Sequence, residues 1–134
     1  MTAVSLLQPA GLVRSPAFSH VAVIPPDATL IHIGGQNAVD EQGTLVGPGD
    51  LVAQVDQVMA NLTVALAAAG ASMADLVSLS IALVEGTDLQ AGYAAAAAQL
   101  SGTQPPPLVT AAIVAGLGVP GALIELSAIA AVVR

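Results

Sequence analysis

"PPPLVTAAIVAGLGVPGALIELSAIAAVV", Pro105 to Val133, is apolar almost throughout and carries one charge, Glu125. How this stretch folds decides the architecture, because its composition would suit a membrane span as well as a pair of buried strands. A spanning helix needs about 20 uninterrupted apolar residues, and here Gly116, Gly118, Pro120 and Gly121 interrupt the middle. These are turn formers. The stretch therefore predicts two strands, "LVTAAIVA" and "ALIELSAIAAVV", joined through "GLGVPG" and not inserted in a membrane. Alternation along the second strand sets Leu123, Glu125, Ser127 and Ile129 on one face and Ile124, Leu126, Ala128 and Ala130 on the other. Glu125 then points away from the apolar side.

Earlier in the chain, Asp50 stands as an N-cap before Leu51, Val55, Val58, Leu62 and Leu66, which recur at helical spacing until Gly70 supplies a stop. A second helix is predicted from Thr87 or Asp88 through "LQAGYAAAAAQL" to Gly102, since alanine is the best helix former and outweighs Gly92. Between the helices, Ser72 and Asp75 form a capping-box-like turn leading into a strand, "LVSLSIALVE". Towards the amino terminus, "AFSHVAVI" (17–24) and "ATLIHI" (28–33) flank the turn signal "PPD" and predict a hairpin. "GGQNAVDEQGTLVGPG" reads as a loop. Helices and strands mix without strict alternation, an α+β order.

At 134 residues the chain fits one domain. It is 55% hydrophobic but 1% aromatic, and a surface this apolar predicts self-association. Arg14 and Arg134 are its only cations besides the two histidines, and the net charge is −7. Phosphates would find nothing to neutralise them, which argues against nucleic acid and against anionic lipid surfaces. With no cysteine there is no disulfide, thiolate metal site or thiol nucleophile. The opening "MTAVSLLQPAGLVRSP" lacks the basic start and apolar run of a secretory signal, so a cytoplasmic location is expected.

The segments "FSHVAV", "IHIGGQNAVDEQGTLV", "VDQVMANLTVALAAAG", "SMADLVSLSIALV" and "LGVPGALIELSAIA" together resemble the Rid (reactive intermediate deaminase, YjgF-like) family over about residues 17–131. The resemblance implies a chorismate-mutase-like α+β fold: a six-stranded mixed sheet with two helices on one face. It further implies a single domain over residues 1–134, a homotrimer with helices outside, and ligand clefts between subunits without a cofactor. The family's deaminase branch hydrolyses enamines and imines such as 2-aminoacrylate to keto acids and ammonia. By resemblance, the family's carboxylate-gripping arginine falls on Val109, its amino-terminal tyrosine on Phe18, its Ser-Gly-Gln segment on Gly34, Gly35 and Gln36, and its second-helix asparagine on Tyr93. Its water-organising glutamate falls on Glu125. Valine offers no donor to a carboxylate, so a small 2-imino acid loses its main anchor.

Glu125 is the expected acid/base, shuttling a proton through water; its plainer reading is a carboxylate satisfied by backbone amides or at a subunit contact. Gly35 and Gln36 are expected to hold polar substrate atoms. His20 and His32, on separate strands, fall short of a metal-ligand set, and each reads either as a proton carrier or as a hydrogen-bonded strand residue. His20 is favoured for the substrate site because it shares a strand face with Phe18. Tyr93 either projects into the cleft or packs. No G-x-S-x-G elbow or Ser/His/Asp set is present. The expectation is an enzyme acting on a small, relatively apolar enamine or imine, and the alternative is a non-catalytic trimer that binds a metabolite or regulates a partner.

Overall fold

The computed structural model describes residues 3–100 and 105–134. The predicted first helix forms as α1 (Leu51–Ala68). The Asp50 carboxylate accepts from Ala53 N at 3.1 Å, satisfying an orphan amide of the first turn. At the other end Gly70 adopts φ +73°, while Ala71 N reaches Leu66 O at 2.9 Å and Gly70 N reaches Ala67 O at 3.0 Å. This is the Schellman closure, and glycine alone takes its left-handed turn without steric cost. By length and composition α1 would suit a membrane span, yet Val55, Val58, Leu62 and Leu66 along one side are fully buried as the core of the fold.

Four strands make the main sheet: β3 (Ala28–Gln36), β4 (Leu76–Val84), β5 (Leu108–Val114) and β6 (Ile124–Val133), in the order β3-β6-β4-β5. Strand β6 runs antiparallel to both neighbours, and β4 and β5 are parallel. A parallel pair needs a crossover, and α2 (Leu89–Leu100) supplies it. The Ser72–Asp75 turn forms as a single 3₁₀ turn, with Ser72 N donating to Asp75 Oδ2 at 2.8 Å. Residues 105–133 form the two predicted strands and their turn.

The expected hairpin between the first two strand candidates does not form. The strand within 17–24 shortens to β2 (Val21–Val23) and pairs with β1 (Ser5–Leu7), a segment the sequence reading left unassigned. Pro25 and Pro26 have no amide hydrogens, so a ladder cannot run through them, and β3 finds its partner in β6 instead. The sheet expected to have six strands is thus divided into one of two and one of four. A single bridge from Ser19 to Leu108 links the pieces. Strand β3 also extends through Gly34, Gly35 and Gln36, which were read as loop. The predicted end of α2 at Gly102 lies outside the described residues.

Both helices lie on one side of the four-stranded sheet. Ile31, Ile33, Leu79, Ile81, Leu83, Ile124, Leu126 and Ala128 are buried on that side. The opposite side has no helix over it, and Leu30, His32, Ser80, Thr110 and Ala112 are exposed there. Alternation on β6 follows the prediction: Ile124, Leu126, Ala128 and Ala130 are buried, while Glu125, Ser127 and Ile129 are half-buried on the bare side.

Three amide side chains, Gln54 and Asn37 buried and Asn61 half-buried, tie the loops to this frame. Gln54 of α1 is fully buried; its Nε2 donates to Gly47 O and Gly121 O at 3.1 and 3.2 Å, and its Oε1 accepts from Leu123 N at 2.8 Å. Asn37 Nδ2 donates to Ile124 O at 3.1 Å. Asn61 Nδ2 reaches Asn37 O and Val39 O, both at 3.0 Å. Replacing Gln54 by leucine keeps the volume but strands the Leu123 amide and the Gly121 carbonyl, while Gly47 O keeps Asp50 N, a loss of about 3 kcal/mol. Thermal unfolding of Gln54→Leu should therefore show a melting temperature lowered by roughly 10 °C.

Candidate functional site

Glu125 owes its place to two features of its neighbours. On one side lies Ala82 of β4, its cross-strand partner, which is too short to crowd the carboxylate. On the other, β3 bulges: Ile33 pairs with Ala128 and Gln36 with Leu126, so Gly34 and Gly35 together oppose Ser127. A β-carbon at Gly35 would sit 3.0 Å from Glu125 Cδ and 3.2 Å from Oε1. Glycine at 35 thus lets the carboxylate lie against the backbone of β3. Among the described residues, none hydrogen-bonds to the Glu125 carboxylate. Ser80, Thr110 and Ser127 share an open cavity of about 190 Å³ with it, so a single acid is grouped with three hydroxyls.

A second, larger cavity of about 400 Å³ opens on the helix side of the sheet, at the β5 edge. Val109 pairs with buried Leu79 and therefore faces this side. Phe18 is brought beside it by the proline run: Pro106 and Pro107 present carbonyls, and Ser19 takes both, through Oγ at 2.6 Å and N at 3.0 Å. Tyr93 of α2 completes the trio. Behind Phe18, the His20 ring packs edge-on at 5.3 Å between centroids, and its Nε2 bonds Val13 O at 2.6 Å. Gln8 closes the same loop through Ser15 and Phe18 O.

The residues singled out from the sequence therefore fall into two groups separated by the sheet. Phe18, Val109 and Tyr93 wall the apolar cavity, with His20 supporting Phe18 from behind. Glu125 and Gly35 lie on the bare face. Gln36 Nε2 turns back to Gly34 O at 3.2 Å, which uses one of its two N–H groups. His32 is exposed on the bare face beside Ile129, its cross-strand partner. Ser80, Thr110 and Ser127 were missed by the sequence reading. The signal for the serines was present in the two-residue alternation of "SLSI" (78–81) and "ELS" (125–127), which puts Ser80 and Ser127 on the side away from Leu79 and Leu126. Among the described residues, no group of histidine and carboxylate side chains could hold a metal ion.

Comparison with known proteins gives the chain its relatives. Residues 12–132 match the sequence model of the family described as Endoribonuclease L-PSP. Among solved structures, a conserved Rid-family protein of unknown function from Yersinia pestis, YyfB, is 34% identical, with a TM-score of 0.84 over 98% of this chain and 100% of that one. RidA from an Antarctic Psychrobacter species is 27% identical, with a TM-score of 0.69 over 87% of this chain and 94% of that one. A second Yersinia pestis Rid-family protein of unknown function, YyfA, is 25% identical, with a TM-score of 0.70 over 97% and 100% of the two chains. No curated protein matches. With its family model matched along nearly its whole length and the same fold in these structures, the chain belongs to the Rid family, the group whose sequence model is described as Endoribonuclease L-PSP.

Proposed function

We propose that the chain forms a homotrimer in which the bare sheet faces are covered by other copies, and that each resulting cleft hydrolyses a small enamine or imine lacking a free carboxylate. In this reading the Phe18, Val109 and Tyr93 cavity of one copy meets Glu125 and Gly35 of the next. The observation that carries it is the division of the two groups across the sheet. Neither half suffices alone: one has a binding volume without an acid or base, and the other an acid without walls. Burying the exposed Leu30 of β3 on the bare face would add to the driving force for association.

The chemistry suits the groups available. Glu125 takes a proton from water as the oxygen adds to the imine carbon, and the C=N π pair moves to nitrogen. The proton returns to nitrogen to give a neutral carbinolamine. Its hydroxyl proton is then passed through Glu125 to the nitrogen as the C=O bond forms and the C–N bond breaks. This releases a carbonyl compound and ammonia, or an open-chain amino-carbonyl compound from a cyclic imine. One water is consumed and no redox partner is needed. The hydroxyls of Ser80, Thr110 and Ser127 can hold the attacking water near the carboxylate. The nuclease activity in the family's description fits this chain less well. Arg14 and Arg134 are its only arginines and it has no lysine, and Arg134 Nη2 already bonds Ala69 O at 2.6 Å at the end of α1.

Incubating the protein with 2-iminopropionate and with five- and six-membered cyclic imines, and following ammonia or ring opening, tests the reading. A cyclic imine should be turned over faster than 2-iminopropionate, and Glu125→Gln should lose about 100-fold or more of that rate. Gly35→Ala should lower it too, with little effect on stability, since the new methyl group displaces only the Glu125 side chain. Rates equal to the uncatalysed ones across the whole panel would instead favour a binding or regulatory trimer.

A further inference from the structure

The cavity at the β5 edge has an unusual wall. Among the described residues lining it, Tyr93 alone carries a polar atom in its side chain; Phe18, Leu79, Ile81, Ala97 and Val109 are typical of the rest. The volume is created by α2. That helix turns Ala96 to the sheet and the exposed Ala97 to the cavity where an ordinary amphipathic helix presents leucine, and its buried residues are Gly92 and Ala96. At Gly92 a β-carbon would come within 3.0 Å of Leu51 Cδ2, so glycine there lets α2 lie close against α1. The space lies beyond that contact, between the alanines of α2 and the β5 edge.

Water fills such a space poorly. At ~30 Å³ per molecule, about a dozen waters would occupy the volume, each needing two to four polar partners where the described side chains of the wall offer one hydroxyl. An anionic occupant fares worse, because a carboxylate buried here would meet no cation and would enter a chain of net charge −7. The Tyr93 hydroxyl has no hydrogen-bond partner among the described residues. A volume of about 400 Å³ lies in the range that accommodates ring-bearing small molecules.

We infer that this cavity selects an uncharged, ring-bearing molecule with a single polar atom, an aryl or alicyclic imine or its ketone product, and that Tyr93 is the specificity-determining residue that hydrogen-bonds that atom. The inference deepens the proposed function and rests on its reading of the cavity as one half of the reaction cleft. Selection works by shape and by exclusion of charge: the ring displaces ill-satisfied water, the phenol fixes the orientation of the C=N or C=O bond, and free amino-acid-derived imines are rejected for their carboxylate.

Acetophenone and benzoate, nearly equal in shape and different in charge, provide the test by isothermal titration of the purified full chain. Acetophenone should bind, and benzoate should bind more weakly by about tenfold or more. Tyr93→Phe should weaken acetophenone about fivefold, and Ala97→Leu, which fills the cavity from the exposed side of α2, should weaken it more. Val109→Arg should reverse the preference towards benzoate. Equal binding of the two probes to the unaltered protein, no binding of acetophenone, or binding indifferent to both Tyr93→Phe and Ala97→Leu would overturn the inference. The readout is independent of turnover: acetophenone binding by an unaltered protein that hydrolyses no imine would sink the proposed enzymatic function and leave this specificity standing.

Discussion

Strand β6 is held from both sides by antiparallel partners and from above by α1, and nearly every other feature depends on its register. Ile124, Leu126, Ala128 and Ala130 are buried beneath the helix. A shift of one residue would expose that row and drive Glu125 into the core, at a cost no domain of this size could sustain. The register is pinned at its beginning by amides: Gln54 takes Leu123 N, and Asn37 takes Ile124 O. Glu125 is thus fixed by the two residues that precede it in the chain, and its outward direction is a consequence of core burial.

The scarcity of large and charged residues shapes the rest. Alanines on α2 leave a cavity where most helices would fill one, and Ala82, Gly34 and Gly35 clear the ground around the carboxylate. The same economy removes the cation that would hold an anionic substrate. Val109 faces the cavity with Phe18 and Tyr93, so an apolar side chain stands where the family resemblance places the guanidinium. An acid on one face of a sheet and an apolar pocket on the other make little sense in an isolated chain and are a natural pair in an assembly of copies.

Much of this was legible in the sequence. The helical spacing of Leu51 to Leu66, the Asp50 and Gly70 signals, and the alternation around Glu125 are local patterns, and each is present in the fold. The pairing of strands was not legible in the same way. Whether β2 joins β3 or β1 depends on a three-residue segment, Ser5–Leu7, too short to show periodicity, and on prolines read only as a turn. The glycine bulge of β3 resembled a loop because glycine signals both. The separation of the candidate site residues into two clusters was not legible: it follows from which face of β5 carries Val109, a tertiary fact that needs the β4 register to be known.

The central claim is that the bare face carrying Glu125 is covered by other copies of the chain. The most direct measurement is the mass in solution by light scattering behind size exclusion, for the unaltered protein and for Ala82→Arg, which places a guanidinium on that face. The account predicts three times the 13.1 kDa chain mass for the first and dissociation to single chains with unchanged far-ultraviolet dichroism for the second. A single-chain mass for the unaltered protein at micromolar concentration would contradict it.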